Sequence, residues 1–408
     1  MQIQTLEQPS RRGFLGAASG LTLGFFLPEI GRVSELQAAP ATSTVNTWLS
    51  IGSDETITLT VGSSEMGQGS FSGLAQILAE DLMVDYGKVV TVQGGPTLAA
   101  VAPIGSAINT VGSSVVRTNF WKMRDAAAGA REMLVQAAMN LAGDAVRTNY
   151  SVSNGVITHV SDGKTWTYGS VAAAAAKLTP PAAAPLVPDS QFRLIGKTMP
   201  RFDIPNKVNG SAIYGLDVRL PNMVYAVIRH CPSLGGTLAK TPTAPSGHTV
   251  VPTKVIPLTA RGLEAVGNVN AVAVVGAHTW DAWQAARGLN LSWTLPSNAA
   301  SLNTAQFVAD AQALAAKATP YAAGATNGPG TLYTVEGDAT VASAAISGSA
   351  KTVDATYTLP YVAHACMEVL NCTVDYVPGV KCEVYAPTQS AKSVLSLITT
   401  LIPSLQPS

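Results

Sequence analysis

Residues 65–69 read Glu65-Met66-Gly67-Gln68-Gly69, set between the β-like run TITLTV (Thr56 to Val61) and the helix-like run SFSGLAQILAEDL (Ser70 to Leu82). Glycines at a strand-to-helix junction let the backbone take positive φ and approach another group closely, and a helix N-terminus offers unpaired N–H donors to an anion. The turn is neither G-x-G-x-x-G nor a P-loop. Its residues therefore leave two readings open, a seat for a phosphate-bearing ligand and a plain Gly-rich turn.

Outward from this turn the pattern alternates between strand and helix. Val89 to Val92 is β-like, and a Gly, Pro and Ser-rich loop runs from Gly94 to Ser114. Val116, Phe120, Met123, Ala127, Ala130, Leu134, Ala137, Ala138 and Leu141 then recur at helical spacing, and Gly143 closes the helix. Asn149 to Tyr168 predicts two short strands around the hairpin signals Asn154-Gly155 and Asp162-Gly163. The proline-dense stretch Thr179 to Pro188 resists helix and sheet and predicts a linker. Beyond it, Val208 to Val227 and Val269 to Val275 have β character, Trp280 to Leu289 is helical, and a compact α+β unit ends near Trp293. Asn303 to Lys317 predicts a further helix, Tyr321 to Gly330 a loop, and Thr352 to Tyr385 a return to strands.

Composition bounds the function classes. The chain has 408 residues, 47% of them hydrophobic and 12% charged, with a formal net charge of zero. Such a chain buries large cores over roughly two to four domains. It carries no basic cluster with interleaved aromatics, so nucleic acid is not an expected partner. The four cysteines, Cys231, Cys366, Cys372 and Cys382, form no C-x-x-C pair and have no histidines at zinc-ligand spacing. A two-residue turn at Pro378-Gly379 would set Asp375, not Cys372, opposite Cys382, so buried free thiols are expected.

At the N-terminus, Arg11-Arg12 precedes the apolar stretch Phe14 to Leu27, and Leu36 to Ala41 offers small residues for cleavage. This looks like a Tat export signal, too short for a confident membrane span, with an uncleaved N-terminal anchor as the other reading. A periplasmic location, with association to the inner membrane left open, is the expectation. Because the Tat route carries proteins that fold before crossing, a redox cofactor is favoured.

Four stretches carry a family resemblance. The Glu65–Gly69 turn with its following helix resembles the molybdopterin-binding subunit of the xanthine oxidase family, in the branch of isoquinoline 1-oxidoreductases and membrane-bound aldehyde dehydrogenases. Arg201-Phe202-Asp203-Ile204-Pro205-Asn206-Lys207-Val208-Asn209-Gly210, with the segments up to Ala226, resembles the opening of that family's hammerhead domain. Ala363-His364-Ala365-Cys366-Met367-Glu368 with Asn371-Cys372 resembles its A-H-x-x-M-E-P-x-N-C, and Pro387-Thr388-Gln389 its strand-end P-T-Q. The implied fold is α+β, with molybdenum-cofactor-binding segments flanking an α/β hammerhead domain. The expected divisions are a leader at 1–41, a cofactor-binding segment at 45–178, a linker at 179–200, the hammerhead at 201–295 and a second cofactor-binding domain begun at 296–408.

By the resemblance, Met66, Gly67, Gln68 and Gly69 line the pyranopterin and phosphate part of a molybdenum-pterin cofactor, in the molybdopterin cytosine dinucleotide form. Thr110, Gly112, Ser113 and Ser114 fall on a second cofactor loop, for which a plain N-cap at Ser113 or Ser114 is the equal physical alternative. The family's G-G-G-F-G loop and its catalytic glutamate have no counterpart here, so no catalytic residue is assigned and the chain is expected to be the N-terminal portion of a longer product, inactive alone. Val362 stands where xanthine oxidase relatives place a glutamine, which weakens an inference of purine chemistry. The implied reaction is hydroxylation of an aldehyde or an aromatic N-heterocycle with water-derived oxygen. Electrons would leave through a small subunit with two [2Fe-2S] clusters, with a cytochrome c subunit as a further partner. The competing expectation is a non-catalytic exported binding or assembly protein that retains the hammerhead.

Some residues invite blander readings. His364 reads as a core histidine, Glu368 as a buried structural carboxylate, Glu80 and Asp81 as a solvated helix face, and Trp280, Trp283 and Trp293 as core and strand-end packing.

Overall fold

The computed structural model describes residues 21–24, 47–93, 109–233, 235–254, 258–259, 262–263, 269–317, 337–362 and 364–404. The twin arginine, most of the apolar run behind it, the cleavage candidate, loop residues 94–108, the Tyr321 to Gly330 stretch and Ala363 lie outside the described residues. Two compact units are present, Met1–Val218 with Leu370–Ser408, and Arg219–Val369.

In the first unit a sheet has the order β1 (Leu21–Gly24), β2 (Thr47–Ile51), β3 (Ile57–Val61), β4 (Val89–Gln93). The first three strands pair antiparallel, but β3 and β4 are parallel. Parallel neighbours require a crossover, and α1 (Ser70–Leu82) supplies it. Ile57, Leu59 and Val61 alternate into the core of β3, while Leu74, Leu78 and Leu82 recur every fourth residue on α1. α2 (Ser114–Ala142) packs against α1, with Met123, Ala127, Ala130, Leu134, Ala137 and Ala138 buried and Gly143 closing it at φ 72°. The alanines let the two helices approach closely.

A three-stranded meander follows, β5 (Tyr150–Ser153), β6 (Val156–His159) and β7 (Thr165–Thr167), leading into α3 (Tyr168–Ala175). Asn154 and Gly155 both take positive φ, as a two-residue hairpin demands. The second turn, at Asp162-Gly163, folds Thr165–Thr167 back onto β6, making three strands where two were expected. Tyr168, fully buried, donates its hydroxyl to the Leu82 carbonyl at 2.7 Å and so fixes α3 to the end of α1.

The expected solvated face of α1 is overturned at Glu80 and Asp81, both 0% exposed. The Glu80 carboxylate accepts the backbone N–H groups of Arg193, Leu194 and Ile195 at 2.9, 2.6 and 2.9 Å. Asp81 accepts from the Val187 N–H at 2.7 Å and from Arg124 Nε at 2.6 Å. Gln76 Nε2 donates to the carbonyls of Leu194 and Lys197, and Tyr86 donates to that of Pro200. The proline-dense stretch Thr179 to Pro188 is irregular, as expected, yet from Pro185 on to Phe202 the chain forms a strap tied down by buried side chains. Phe202 ends it, stacked on Tyr86 at 4.5 Å with its N–H donating to Ser72. Of the β structure expected over Val208 to Val227 only the end, from Tyr225, forms a strand. The expected span opens instead at the end of a short helix α4 (Ile204–Val208), helped by Pro205 in its first turn and the Asp203–Lys207 pair at 2.6 Å, and continues irregularly.

The second unit contains an antiparallel sheet in which β13 (Ala271–Gly276) lies between β8 (Tyr225–His230) and β10 (Thr249–Thr253). It also has the pair β9 (Thr237–Lys240) and β14 (Ser292–Thr294), and the short ribbon β11 (Leu258–Thr259) and β12 (Gly262–Leu263). α5 (Thr279–Gly288) buries Ala282 and Ala286, and Ala286 joins Val272 and Val274 in a small core against which Trp293 packs as expected. Trp280 does not join it: this ring is 66% exposed and stacks on Trp283 at 4.9 Å. α6 (Thr304–Lys317) is the helix expected there, whereas α7 (Ala339–Ser347), capped by the Asp338 carboxylate, was not anticipated.

Residues 351–362 have no regular structure, and Val353, Tyr357, Leu359 and Tyr361 are exposed. Among the described residues the expected strands there have no partner strand, and only the hairpin β15 (Thr373–Val377) and β16 (Lys381–Tyr385), in the first unit, forms. His364 is exposed, not a core histidine, and Glu368 is only half-buried. Cys366 and Cys372 are exposed thiols where burial was expected. The hairpin loop has three residues, so Tyr376 faces Cys382. α8 (Ala391–Leu401), capped by Ser390, completes the first unit. Among the described residues no helix is long and apolar enough to cross a membrane.

Candidate functional site

The Glu65–Gly69 turn follows the carboxyl end of β3, beside its parallel neighbour β4. Open α/β sheets bind ligands outside the carboxyl ends of such strands. Three separated stretches meet there at Thr110, which is 5% exposed. Its hydroxyl accepts the Ser64 N–H at 2.7 Å. Its own N–H donates to the Gln389 carbonyl at 2.8 Å, and Gln389 Nε2 returns a bond to the Thr110 carbonyl at 2.8 Å. The Glu65–Gly69 turn, the Asn109 to Ser114 loop and the Pro387-Thr388-Gln389 stretch, read separately in the sequence, are thus one cluster.

Within the turn, Gly67 and Gly69 take φ of +98° and +78°. That shape aims several N–H groups at one point, and the Glu65 carboxylate fills it. Oε1 accepts from Gly67 and Gly69, each at 2.9 Å, and Oε2 accepts from the Phe71 N–H at 3.1 Å and from the Ser70 hydroxyl at 3.3 Å. The first turn of α1 is therefore neutralised by the chain's own anion. Gln68 is engaged within the turn as well: Oε1 accepts the Met66 N–H at 2.6 Å, while Nε2 donates to the Ser64 carbonyl at 2.9 Å and to Ser70 Oγ at 3.0 Å. The Met66 side chain is 51% exposed, and Gly67 and Gln68 form the open tip.

Arg201 closes the turn from the far end of the strap. Its Nη1 donates to the Gly67 carbonyl at 2.8 Å, and Nε donates to Asp203 Oδ1 at 2.9 Å. Hydrogen bonding to Arg201 holds the Asp203 carboxyl well below the usual carboxylate range, with Lys207 adding to the effect. The same bond raises the Arg201 guanidinium. Sequence reasoning placed Arg201 in a separate domain opening and gave it no part in the turn. A lone arginine 134 positions away carries no local signal.

At α2 the N-cap Ser113 lies in the left-handed region at φ 51° with no side-chain cap bond, and the Ser114 hydroxyl donates backward to the Val111 carbonyl at 2.7 Å. Neither hydroxyl caps the helix, and among the described residues no side chain accepts from the first-turn N–H groups of α2, whereas Glu65 accepts from those of α1. Gly112, at φ +61°, has open space where a Cβ would stand, as does Gly67. Open glycines and uncapped donors suit a pterin-phosphate ligand, and on that chemistry the residues fit the group. Among the described residues no cluster of three His, Cys, Asp or Glu could hold a metal ion.

A family model described as molybdopterin cofactor-binding domain matches residues 7–213, just over half of the chain. The chain belongs to this family. Curated relatives carry oxidoreductase names. The beta subunit of isoquinoline 1-oxidoreductase from Brevundimonas diminuta is 30% identical, over 55% of this chain and 34% of its own length. The membrane-bound aldehyde dehydrogenase [pyrroloquinoline-quinone] of Gluconacetobacter polyoxogenes is 30% identical, over 53% and 28%. A nicotinate dehydrogenase subunit of Pseudomonas putida is 32% identical, over 43% and 14%. The chain therefore spans about a third or less of the relatives it matches. Among solved structures, a Cu,Mo-CO dehydrogenase aligns at 18% identity with a TM-score of 0.27, covering 31% of this chain and 15% of that one. Quinoline 2-oxidoreductase from Pseudomonas putida 86 aligns at 23% and 0.22 with the same coverage. In this molybdopterin cofactor-binding family member the matched residues include the Glu65–Gly69 turn, the loop at Thr110 and the strap through Arg201.

Proposed function

We propose that this chain contributes the first part of a molybdenum-pterin site in an exported oxidoreductase that hydroxylates an aldehyde or an aromatic N-heterocycle. The observation that carries the reading is Thr110, which joins the turn, the second loop and Gln389 into one cluster. Met66, Gly67, Gln68 and Gly69 would face the pterin, and Thr110, Gly112, Ser113 and Ser114 the phosphate end, with the cytosine dinucleotide form as the proposed cofactor. When bound, that group supplies the two-electron oxidation. This chain's residues shape the seat and exclude other orientations, and none of them is assigned as the base. The relatives' names favour a substrate of this class. Two of those relatives are named as single subunits of larger enzymes, which favours a partner, proposed here as a two-[2Fe-2S] polypeptide with a cytochrome c subunit as a further acceptor. The proposal also keeps Tat export to the periplasm, a hammerhead domain over 201–295 between the flanking segments, and further polypeptide to complete the active site.

The test is expression of the full chain in a host that makes the cofactor, followed by molybdenum and pterin analysis. Co-purifying molybdenum that is lost in a Thr110→Val variant with intact circular dichroism supports the reading. Molybdenum-free wild-type protein overturns it. That result would favour a cofactor-free exported binding protein, a reading to which the self-neutralised N-terminus of α1 lends weight.

A further inference from the structure

We propose that Glu65 is a specificity-determining residue: its carboxylate is a built-in anion that fills the N-terminus of α1 and turns phosphate away from the Met66–Gly69 turn. The turn is then left to an uncharged, hydrogen-bonding part of the ligand, such as a pterin ring. The inference rests on the proposed function for the identity of the ligand, but the exclusion itself is a property of this chain.

The argument is one of occupancy and charge. A phosphate at a glycine-rich turn is held by converging backbone N–H groups. Here those of Gly67, Gly69 and Phe71 already converge on Glu65, joined by the Ser70 hydroxyl. A carboxylate taking several charge-assisted bonds is hard to displace, and a second anion beside it would be repelled. Glu65 is also held from outside: Arg201 Nη2 lies 3.9 Å from Oε1 while the same guanidinium grips the Gly67 carbonyl. The side chain is 16% exposed, so it is part of the turn and not a surface group free to swing. What the turn still presents is its tip, Met66, Gly67 and Gln68, which carries no net charge.

The experiment uses the full chain labelled with [15N]glycine and inorganic pyrophosphate as the probe. In wild-type protein the Gly67 and Gly69 amide resonances are expected to stay in place. In Glu65→Ala and Glu65→Gln they shift saturably, with apparent affinity at least roughly tenfold tighter than wild type and weakened by added salt. Glu65→Gln keeps an acceptor oxygen and the shape while losing the charge, so it carries the test if Glu65→Ala does not fold. Wild-type resonances that move as strongly as those of the variants would overturn the proposal, as would natively folded variants that ignore pyrophosphate. Molybdenum content of the wild type is measured in parallel. Its absence alongside the expected glycine shifts would sink the proposed function and leave the exclusion standing.

Discussion

Arg201 Nη1 donates to the Gly67 carbonyl at 2.8 Å, so the end of the strap clamps the tip of the turn that begins α1. Arg201→Ala removes this bond and the Asp203 pair together. The guanidinium is 32% exposed, so the loss of global stability should be small, about 1 kcal/mol, whereas the turn should loosen markedly. Hydrogen exchange at Gly67 and Gly69 reads the second effect, and urea denaturation the first. Unchanged exchange at both glycines would show that the clamp has no hold on the turn.

Acid should find the same pair. The Asp203 carboxyl titrates below its usual range when folded, chiefly through Arg201. Its contribution is therefore complete above the unfolded value, near pH 4, and is lost as pH falls toward the folded one. Stability measured from pH 5 downward should drop more steeply in wild type than in Asp203→Asn. Parallel curves would refute the assignment.

The buried carboxylate of Glu80 ties three consecutive N–H groups of the strap. Glu80→Ala leaves those donors unpaired and should cost about 3–5 kcal/mol by urea denaturation. Limited proteolysis should then cut between Pro185 and Lys197 well before other sites. A strap that stays protected would mean Asp81 and Gln76 suffice to hold it.

Two glycines should respond differently to alanine. Gly67 has open space but φ +98°, so Gly67→Ala meets strain alone, about 1–2 kcal/mol. At Gly169 a Cβ would stand 2.7 Å from the Ser53 carbonyl oxygen, a backbone clash that should exceed that cost by thermal melting. Equal melting temperatures for the two variants would contradict both geometries.

Burial raises the Tyr168 hydroxyl well above its usual range, and its bond to the Leu82 carbonyl is internal. The unfolded chain ionises this group first as pH rises through about 10, so its contribution is complete below that value and lost above it. Tyr168→Phe should cost about 1–2 kcal/mol at neutral pH and flatten the alkaline limb of stability. A variant whose alkaline limb is as steep as wild type would exclude Tyr168 as its source.

The sequence predicts best where the signal is local. The periodicity of α1 and α2, the glycine closing α2 and the hairpin at Asn154-Gly155 each depend on neighbours within a few residues, and all are present. Glu80 and Asp81 misled because their donors arrive from Arg124 and from residues 187–195, beyond any window of helical pattern. Residues 351–362 misled in the opposite sense, since a β-like stretch marks a chain suited to a sheet, but among the described residues no neighbouring strand pairs with it. At the site, the glycines of the turn were legible as a place of close approach. The occupant of its donors is in the same five letters, at Glu65, but a carboxylate that folds back onto its own turn leaves no pattern in the sequence.

The strap also has a consequence in time. Synthesis makes α1 before the segment that covers it, so Glu80 and Asp81 gain the backbone donors of residues 187–195 only once that segment has been made. Contacts of such long separation form slowly. The completed turn, with Arg201 on Gly67, should consequently be among the last features of the first unit to mature.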